Sequence, residues 1–342
     1  MDDIFLVRDK ALATTRDGRP YLNVNLIDRT GKVGAKLWEK RDDPGYVQRI
    51  FASFQKNDFV RAIGRADVYK ETMQLILDDL SKADDSAVDI FDFLPAGEID
   101  PEELARDLKK IAETVANPHI KKLLDAFFKD KEFMARFKLA PAAKKLHQAY
   151  LGGLIEHTSL LVKMAVAVAD FYPHVNRDLL IAGAFLHDIG KIEELEYDRS
   201  FDYTDRGRLV GHLVIGARMV QEKIDAVGDF PEEITNLLLH LILSHHGELQ
   251  YGSPVAPVLP EAVMLHYLDH MDATVWGFQG EVERSAEVEG NWSKFSNVYQ
   301  RYIYSGDRFF GGDAGESDRS RKEQAKKQKT SLSLFDDENG ED

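Results

Sequence analysis

The chain has 342 residues, 44% of them hydrophobic, a formal net charge of −15 and no Cys, and this length predicts two or three domains. Without Cys, disulfides, a thiolate nucleophile and thiolate zinc sites are excluded, so His, Asp and Glu must hold any metal. No signal-peptide layout is present, and no apolar run approaches the roughly 20 residues of a membrane span. We therefore expect a soluble cytoplasmic protein without a membrane partner.

Residues 1–84 carry 15 basic and 14 acidic side chains and show strand-like patterns. Residues 21–27 alternate between apolar and polar, and residues 31–38 form the next strand after a turn. A helix-like stretch at 46–54 precedes strands at 58–69 and 73–80. The order strand, strand, strand, helix, strand, strand predicts a small OB-fold barrel, with another small β-barrel as the alternative.

The remainder of the chain separates into three parts. Residues 85–100 are acidic with Pro and Gly, which predicts a linker whose apolar residues 90–94 dock onto a neighbouring domain. Residues 101–310 show helical periodicity and no strand-like run, which predicts an all-α domain. Residues 311–342 are polar and of low complexity, which predicts a disordered tail. Residues 85–312 carry a net charge of −13, part of which a cation site would use.

His and Asp recur at the ends of the predicted helices. His187 and Asp188 close the apolar helix that contains residues 179–186, where both can reach one cation. Gly190 follows, and we expect it to let the chain turn away. Imidazole and carboxylate ligands suit divalent Mn, Fe, Ni, Co or Zn. The pattern therefore predicts a divalent metal site built on helices.

The ordered His and Asp residues resemble the motif set of the HD phosphohydrolase superfamily. The resemblance implies two divalent ions, with Mn as the first choice and Fe, Ni, Co or Mg as alternatives. It implies that Asp188 bridges the two ions. The first ion would be held by His157, His187, Asp188 and Asp269, and the second by Asp188, His212 and His245. His246 and Asp272 are further candidates for a metal or substrate contact, with a helix cap as the alternative for His246.

Two such cations lower the pKa of a water that they share, which becomes a hydroxide nucleophile near neutral pH. They also neutralise a phosphodiester oxygen as the transition state forms. Lys191, one helical turn past His187, would reach a phosphate oxygen as a point charge. Asp188 and Lys191 are therefore the predicted catalytic residues.

Two longer stretches, residues 140–157 and 242–254, resemble the YhaM family of 3′–5′ exoribonucleases. That family joins an N-terminal OB-fold to a C-terminal HD domain, and the resemblance extends over about residues 5–305. It implies stepwise removal of nucleotides from the 3′ end of single-stranded RNA, with single-stranded DNA as a second candidate substrate. One departure is visible, because family members often carry paired His where this chain has His147 and Gln148.

The implied strand-binding domain needs aromatic faces that stack bases and basic side chains that follow the backbone. The candidates are Tyr21, Trp38, Tyr69, Arg61 and Arg65. The two Arg residues are four apart in one predicted strand and therefore share a face. The alternative for the aromatic residues is that half of them fill the small barrel core.

The tail contains an apolar cluster at residues 331–335 between a basic run and an acidic end. This cluster resembles the pentapeptide that binds the bacterial sliding clamp, with Leu332, Leu334 and Phe335 as the contacting residues. The alternative is a segment that folds back on its own domain or has no function.

Three functions remain open at this point. The leading hypothesis is a metal-dependent 3′–5′ exonuclease. The second is an HD-domain hydrolase of small or cyclic nucleotides, which a fused strand-binding domain disfavours. The third is a non-catalytic nucleic-acid adaptor, which the complete set of metal ligands disfavours.

Overall fold

A computed structural model describes residues 1–70, 72–144, 148–285, 288 and 290–306. Residues up to Trp276 cluster as one compact unit, and residues from Gly277 belong to a second. Among the described residues, no helix is both long and apolar enough to cross a membrane. The predicted tail, with the clamp-binding candidates Leu332, Leu334 and Phe335, lies outside the described residues.

The N-terminal part consists of strands with alternating burial and one helix. The elements are β1 (Asp2–Thr14), β2 (Pro20–Asp28), β3 (Gly31–Trp38), α1 (Tyr46–Ser53), β4 (Phe59–Tyr69) and β5 (Thr72–Lys82). In β2, Leu22, Val24 and Leu26 are buried, and the residues between them are only half-buried. The period-2 pattern therefore fills one barrel core and leaves the other face outside.

These strands close into a barrel in the order β1-β2-β3-β5-β4. Neighbouring strands are antiparallel except for β3 and β5, which run parallel, and β1 closes the barrel against β4. A five-stranded barrel with its helix between the third and fourth strands is an OB-fold. The predicted barrel class is confirmed, and the structure adds the bounds of β1.

A helical domain follows, as predicted. Its helices are α2 (Pro101–Glu113), α3 (Pro118–Lys129), α4 (Lys131–Leu139), α5 (Gly153–Ala169), α6 (Arg177–Leu186), α7 (Lys191–Glu194), α8 (Asp205–Val210), α9 (His212–Val227), α10 (Glu232–Ser244) and α11 (Pro260–Arg284). Residues 179–186 of α6 are all buried, because α5 and α10 pack against this helix. Asn176 caps its first turn by accepting from Leu179 N at 3.1 Å.

Several short elements of this domain escaped the sequence patterns. The expectation of no strands is wrong, because β6 (Leu195–Glu196) and β7 (Asp202–Tyr203) form an antiparallel hairpin. Two-residue strands are too short to show alternation. The boundary between α3 and α4 also has no sequence signal, because Asp130 both ends α3 and caps α4, with no Gly or Pro to separate them.

Gly190 lies in the turn between α6 and α7, where the sequence predicts that the chain turns. Its φ of −63° is ordinary helical backbone, however, so the turn does not need the left-handed freedom of glycine. A Cβ on Gly190 would lie 2.1 Å from His212 O and 2.7 Å from Gly216 N. The absence of a side chain therefore lets α9 approach the end of α6, which brings His212 beside His187 and Asp188.

An apolar cluster and an ion-pair network join the barrel to the helical domain among the described residues. Phe93 and Leu94, which precede the helical domain, are buried in one cluster with Leu6 and Phe59 of the barrel and with Leu151. The β6–β7 hairpin also reaches the barrel, because Arg199 pairs with Asp58 at 2.8 Å and with Asp85.

Candidate metal centre

The structure brings the predicted metal ligands together from five helices. His157 lies in the second turn of α5, His187 and Asp188 follow α6, and His212 begins α9. Their ligand atoms form three overlapping groups, in each of which all atoms lie within 4.8 Å of one another. The groups are His157, His187 and Asp269; His187, Asp188 and His245; and His212, His245 and His246.

The first half of the cluster surrounds Oδ2 of Asp188. His157 Nε2 lies 3.1 Å from His187 Nε2 and 3.2 Å from Asp269 Oδ1. Asp188 Oδ2 lies 3.3 Å from His187 Nε2 and 3.7 Å from His157 Nε2. Ligand atoms about 2.1 Å from one tetrahedral ion stand about 3.4 Å apart, so these separations suit one divalent cation.

The second half faces the other oxygen of the same carboxylate. Asp188 Oδ1 lies 3.5 Å from His212 Nε2 and 3.6 Å from His245 Nε2. His246 Nε2 lies 3.2 Å from His212 Nε2. Asp188 thus directs one oxygen to each half, which is the placement that a bridging ligand requires.

Buried polar atoms without partners show that the cluster fits a cation. Asp188 Oδ1 and His245 Nε2 have no hydrogen-bond partner among the described residues. Burial lowers the pKa of His245 to about 4, so its imidazole is neutral near pH 7 and free to coordinate. Buried polar groups normally find partners, and a divalent metal would satisfy both atoms. The donor set of the cluster therefore suits a divalent cation.

Carboxylates outside the cluster orient its imidazoles. Asp272 Oδ2 lies 2.6 Å from His157 Nδ1, and Glu194 Oε1 lies 2.9 Å from His212 Nδ1. Each contact directs the opposite nitrogen, Nε2, into the cluster. Asp272 therefore supports a ligand and contributes no atom to the three groups. Sequence reasoning missed Glu194, because nothing in the local pattern distinguishes it from Glu193.

Gln148, at the position where family members often carry His, is buried beside Asp272. Its Nε2 donates to Asp272 Oδ2 at 3.2 Å, and its Oε1 has no partner among the described residues. The amide therefore helps to hold the carboxylate that orients His157. His147 lies outside the described residues.

Lys191 neutralises part of the negative charge. Its Nζ lies 2.6 Å from Asp188 Oδ2. Burial alone would raise the pKa of Asp188, but Lys191 and His187 outweigh it and hold that pKa well below its usual range. Burial also lowers the pKa of Lys191, yet Asp188 and Asp269 raise it overall. Both groups are therefore charged near pH 7.

The predicted strand-binding residues fall on two parts of the barrel. Tyr21 and Trp38 oppose each other on β2 and β3, with ring centroids 4.8 Å apart at 28°. Trp38 and Tyr69 are 40% and 55% exposed, so these rings do not fill the core. Arg65 also lies on the outer face of the barrel. Arg61 is exposed on the same strand but pairs with Asp2 at 2.6 Å, beside the β1–β4 seam.

Comparison with known proteins finds a family model for the helical domain and relatives of most of the chain. A family model described as "HD domain" matches residues 154–274, the segment that carries every metal ligand predicted above. The 3′–5′ exoribonuclease YhaM of Bacillus velezensis is 33% identical over 287 residues, covering 83% of this chain and 88% of that protein. The YhaM of Listeria welshimeri is 34% identical over 274 residues, covering 79% and 84%.

Among solved structures, the second OB-fold domain of replication protein A from Methanococcus maripaludis is similar at a TM-score of 0.18 and 17% identity. The match covers 24% of this chain and 82% of that chain. The family assignment depends on the relatives, which are about one third identical to this chain over about four fifths of its length. The chain belongs to the YhaM family of 3′–5′ exoribonucleases.

Proposed function

We propose that this protein is a metal-dependent 3′–5′ exonuclease that hydrolyses the phosphodiester bonds of single-stranded RNA, with single-stranded DNA as a second substrate. The observation that carries the proposal is the buried His and Asp cluster around Asp188, whose Oδ1 has no hydrogen-bond partner among the described residues. Membership of the family supplies the reaction, and the barrel supplies an outer surface suited to a strand.

The ligand assignment includes His246, for which the sequence left a metal contact, a substrate contact or a helix cap open. His157, His187, Asp188 and Asp269 would hold the first ion. Asp188, His212, His245 and His246 would hold the second, because His246 Nε2 lies 3.2 Å from His212 Nε2. Mn²⁺ is the preferred ion, with Fe, Ni, Co and Mg as alternatives, since imidazole ligands suit divalent transition metals and carboxylate ligands also suit Mn and Mg.

Bound cations lower the pKa of an attacking water and stabilise negative charge on the phosphate. The side chains around the cluster would hold the ions and position the phosphate for hydrolysis. Asp188 presents one oxygen to each half of the cluster. Lys191, paired with that carboxylate at 2.6 Å, would contact a phosphate oxygen as a point charge. Asp272 and Glu194 keep the imidazole rings of His157 and His212 aligned.

The barrel would capture the strand without reading its sequence. The stacked rings of Tyr21 and Trp38 offer π-faces to bases. Arg65 contributes positive charge on the outer face, and Lys36 lies against Tyr69, with its Nζ 5.4 Å from the ring centroid. Sequence-tolerant capture suits an enzyme that must hold each new 3′ end after every cleavage.

The test uses a 5′-labelled single-stranded RNA with Mn²⁺, followed by mononucleotide and cyclic-nucleotide substrates. The proposal expects a ladder that shortens from the 3′ end. Turnover of small substrates alone would identify a nucleotide hydrolase, and strand binding without turnover would identify an adaptor. The variant Asp188→Ala should lose activity and still bind the strand, and full activity in this variant would refute the metal assignment.

A further inference from the structure

Residues 290–306 differ in composition from the acidic region that precedes them. Of these 17 residues, five are aromatic, two are basic (Lys294 and Arg301) and none is acidic. The surrounding region, residues 85–312, carries a net charge of −13. The segment is therefore aromatic and basic within an acidic region, and the function proposed above does not use it.

The segment folds into a hairpin that we call the aromatic hairpin, residues 291–305. Ser305 N donates to Asn291 O at 2.8 Å, and Ser293 N donates to Ile303 O at 2.8 Å. Closer to the turn, Ser296 N donates to Arg301 O at 2.9 Å. The paired backbone gives the hairpin two distinct faces.

The inner face of the hairpin packs against the end of α11. Ser296 Oγ donates to Glu281 Oε1 at 3.1 Å, and the ring of Tyr299 lies 4.6 Å from that of Phe278. Ser293 is only 4% exposed. These contacts hold the hairpin in place without using its aromatic outer face.

The hairpin exposes large aromatic side chains on its outer face and buries small polar ones. Small Ser residues point inward, whereas Trp292, Phe295 and Tyr302 are 56%, 45% and 60% exposed. Phe295 and Tyr302 meet edge to face, with centroids 5.3 Å apart. A cluster of exposed aromatic rings costs solvation free energy unless a ligand covers it, so such patches mark binding surfaces.

We infer that the aromatic hairpin binds single-stranded nucleic acid as a second stacking surface, separate from the barrel. The inference rests on the proposed function, which supplies the strand. Trp292, Phe295 and Tyr302 would stack bases irrespective of sequence, while Lys294 and Arg301 contact phosphates. The absence of carboxylates from residues 290–306 favours a phosphate backbone as the occupant, because a polyanion is repelled by the acidity found in the rest of this region.

The aromatic contribution is tested with the double variant Trp292→Ala/Tyr302→Ala in the full-length protein. Fluorescence anisotropy with a labelled single-stranded oligouridylate should show a loss of affinity of about 5- to 150-fold for each base that is no longer stacked. The matched control is Phe171→Ala/Tyr172→Ala, which removes two rings that are 79% and 56% exposed elsewhere. The control should bind like the wild type.

The basic contribution is tested separately by salt dependence. The variant Lys294→Ala/Arg301→Ala should reduce the slope of log affinity against log salt concentration by about 1.4, since each phosphate contact on a single strand contributes about 0.7. An unchanged slope would overturn the assignment of these two residues to phosphates.

The outcomes separate the inference from the function on which it rests. If the wild type binds the oligonucleotide and both hairpin variants bind it equally well, the inference alone fails. If the wild type binds no strand and shortens none from the 3′ end, the proposed function fails and the inference fails with it. If the aromatic variant changes only the sedimentation coefficient of an oligomer, the hairpin is an interface between copies and the inference is overturned. Circular dichroism of each variant excludes misfolding as the cause.

Discussion

Replacing Glu194 with Gln should weaken the binding of the second divalent ion. Oε1 of Glu194 accepts from His212 Nδ1 at 2.9 Å and from His212 N at 3.0 Å. Burial raises the pKa of this carboxyl, but the contacts with His212 outweigh burial and lower it, so the side chain is ionised near pH 7. An ionised partner at Nδ1 makes Nε2 a stronger metal ligand. The Gln amide keeps an oxygen in place and loses the charge.

The expected loss of metal affinity follows from the role of a carboxylate that orients a metal-binding His. Loss of a group that orients a metal-binding His costs about 10- to 100-fold in metal affinity, which is about 1.4–2.7 kcal/mol. Glu194→Ala should lower the stability of the protein as well as its metal affinity. It also leaves the backbone N–H of His212 without its acceptor, which costs about 1–3 kcal/mol in the free energy of unfolding. Comparing the two variants separates the electrostatic effect from the structural one.

The assay is isothermal titration of the metal-free protein with Mn²⁺, resolved into the two binding steps. Glu194→Gln should weaken the step that involves His212 and leave the other unchanged. Glu193→Gln is the matched control, because the neighbouring carboxylate pairs with Arg206 at 2.5 Å instead. The reasoning would be refuted if Glu194→Gln bound Mn²⁺ as tightly as the wild type. It would also be refuted if Glu194→Gln and Glu193→Gln lost the same Mn²⁺ affinity.

Two further predictions concern protonation and the contact between domains. Burial alone would lower the pKa of His157, but Asp269 and Asp272 raise it to about 9, so metal binding near pH 7 should release a proton and tighten as pH rises towards 9. Heats of Mn²⁺ binding that do not vary between buffers of different ionisation enthalpy would contradict this. Arg199→Ala removes the ion pairs to Asp58 and Asp85 and should lower the free energy of unfolding by about 1 kcal/mol in a denaturant titration. The exposed pair of Arg218 and Glu222 provides the control Arg218→Ala, and equal stabilities of the two variants would rule out a stabilising role for the Arg199 contact.

The sequence by itself determined the classes of both domains, because the signals for them are local. Alternation in β2 predicts a half-buried strand without reference to its neighbours. The continuous apolar run of α6, closed by His187 and Asp188, likewise predicts a buried helix that presents ligands at its end. The types of side chain in that ordered series also determined the chemistry, since His and Asp without Cys suit borderline divalent ions.

Only the tertiary structure decided which side chains support the cluster and which surfaces remain open. Glu194 is 18 residues from His212, and Asp272 is 115 residues from His157. No sequence period links such pairs, because their contacts depend on how separate helices pack. The exposure of Trp38 and the outward rings of the aromatic hairpin likewise depend on strand pairing. An aromatic residue in a strand has the same local pattern whether its ring fills a core or faces a ligand.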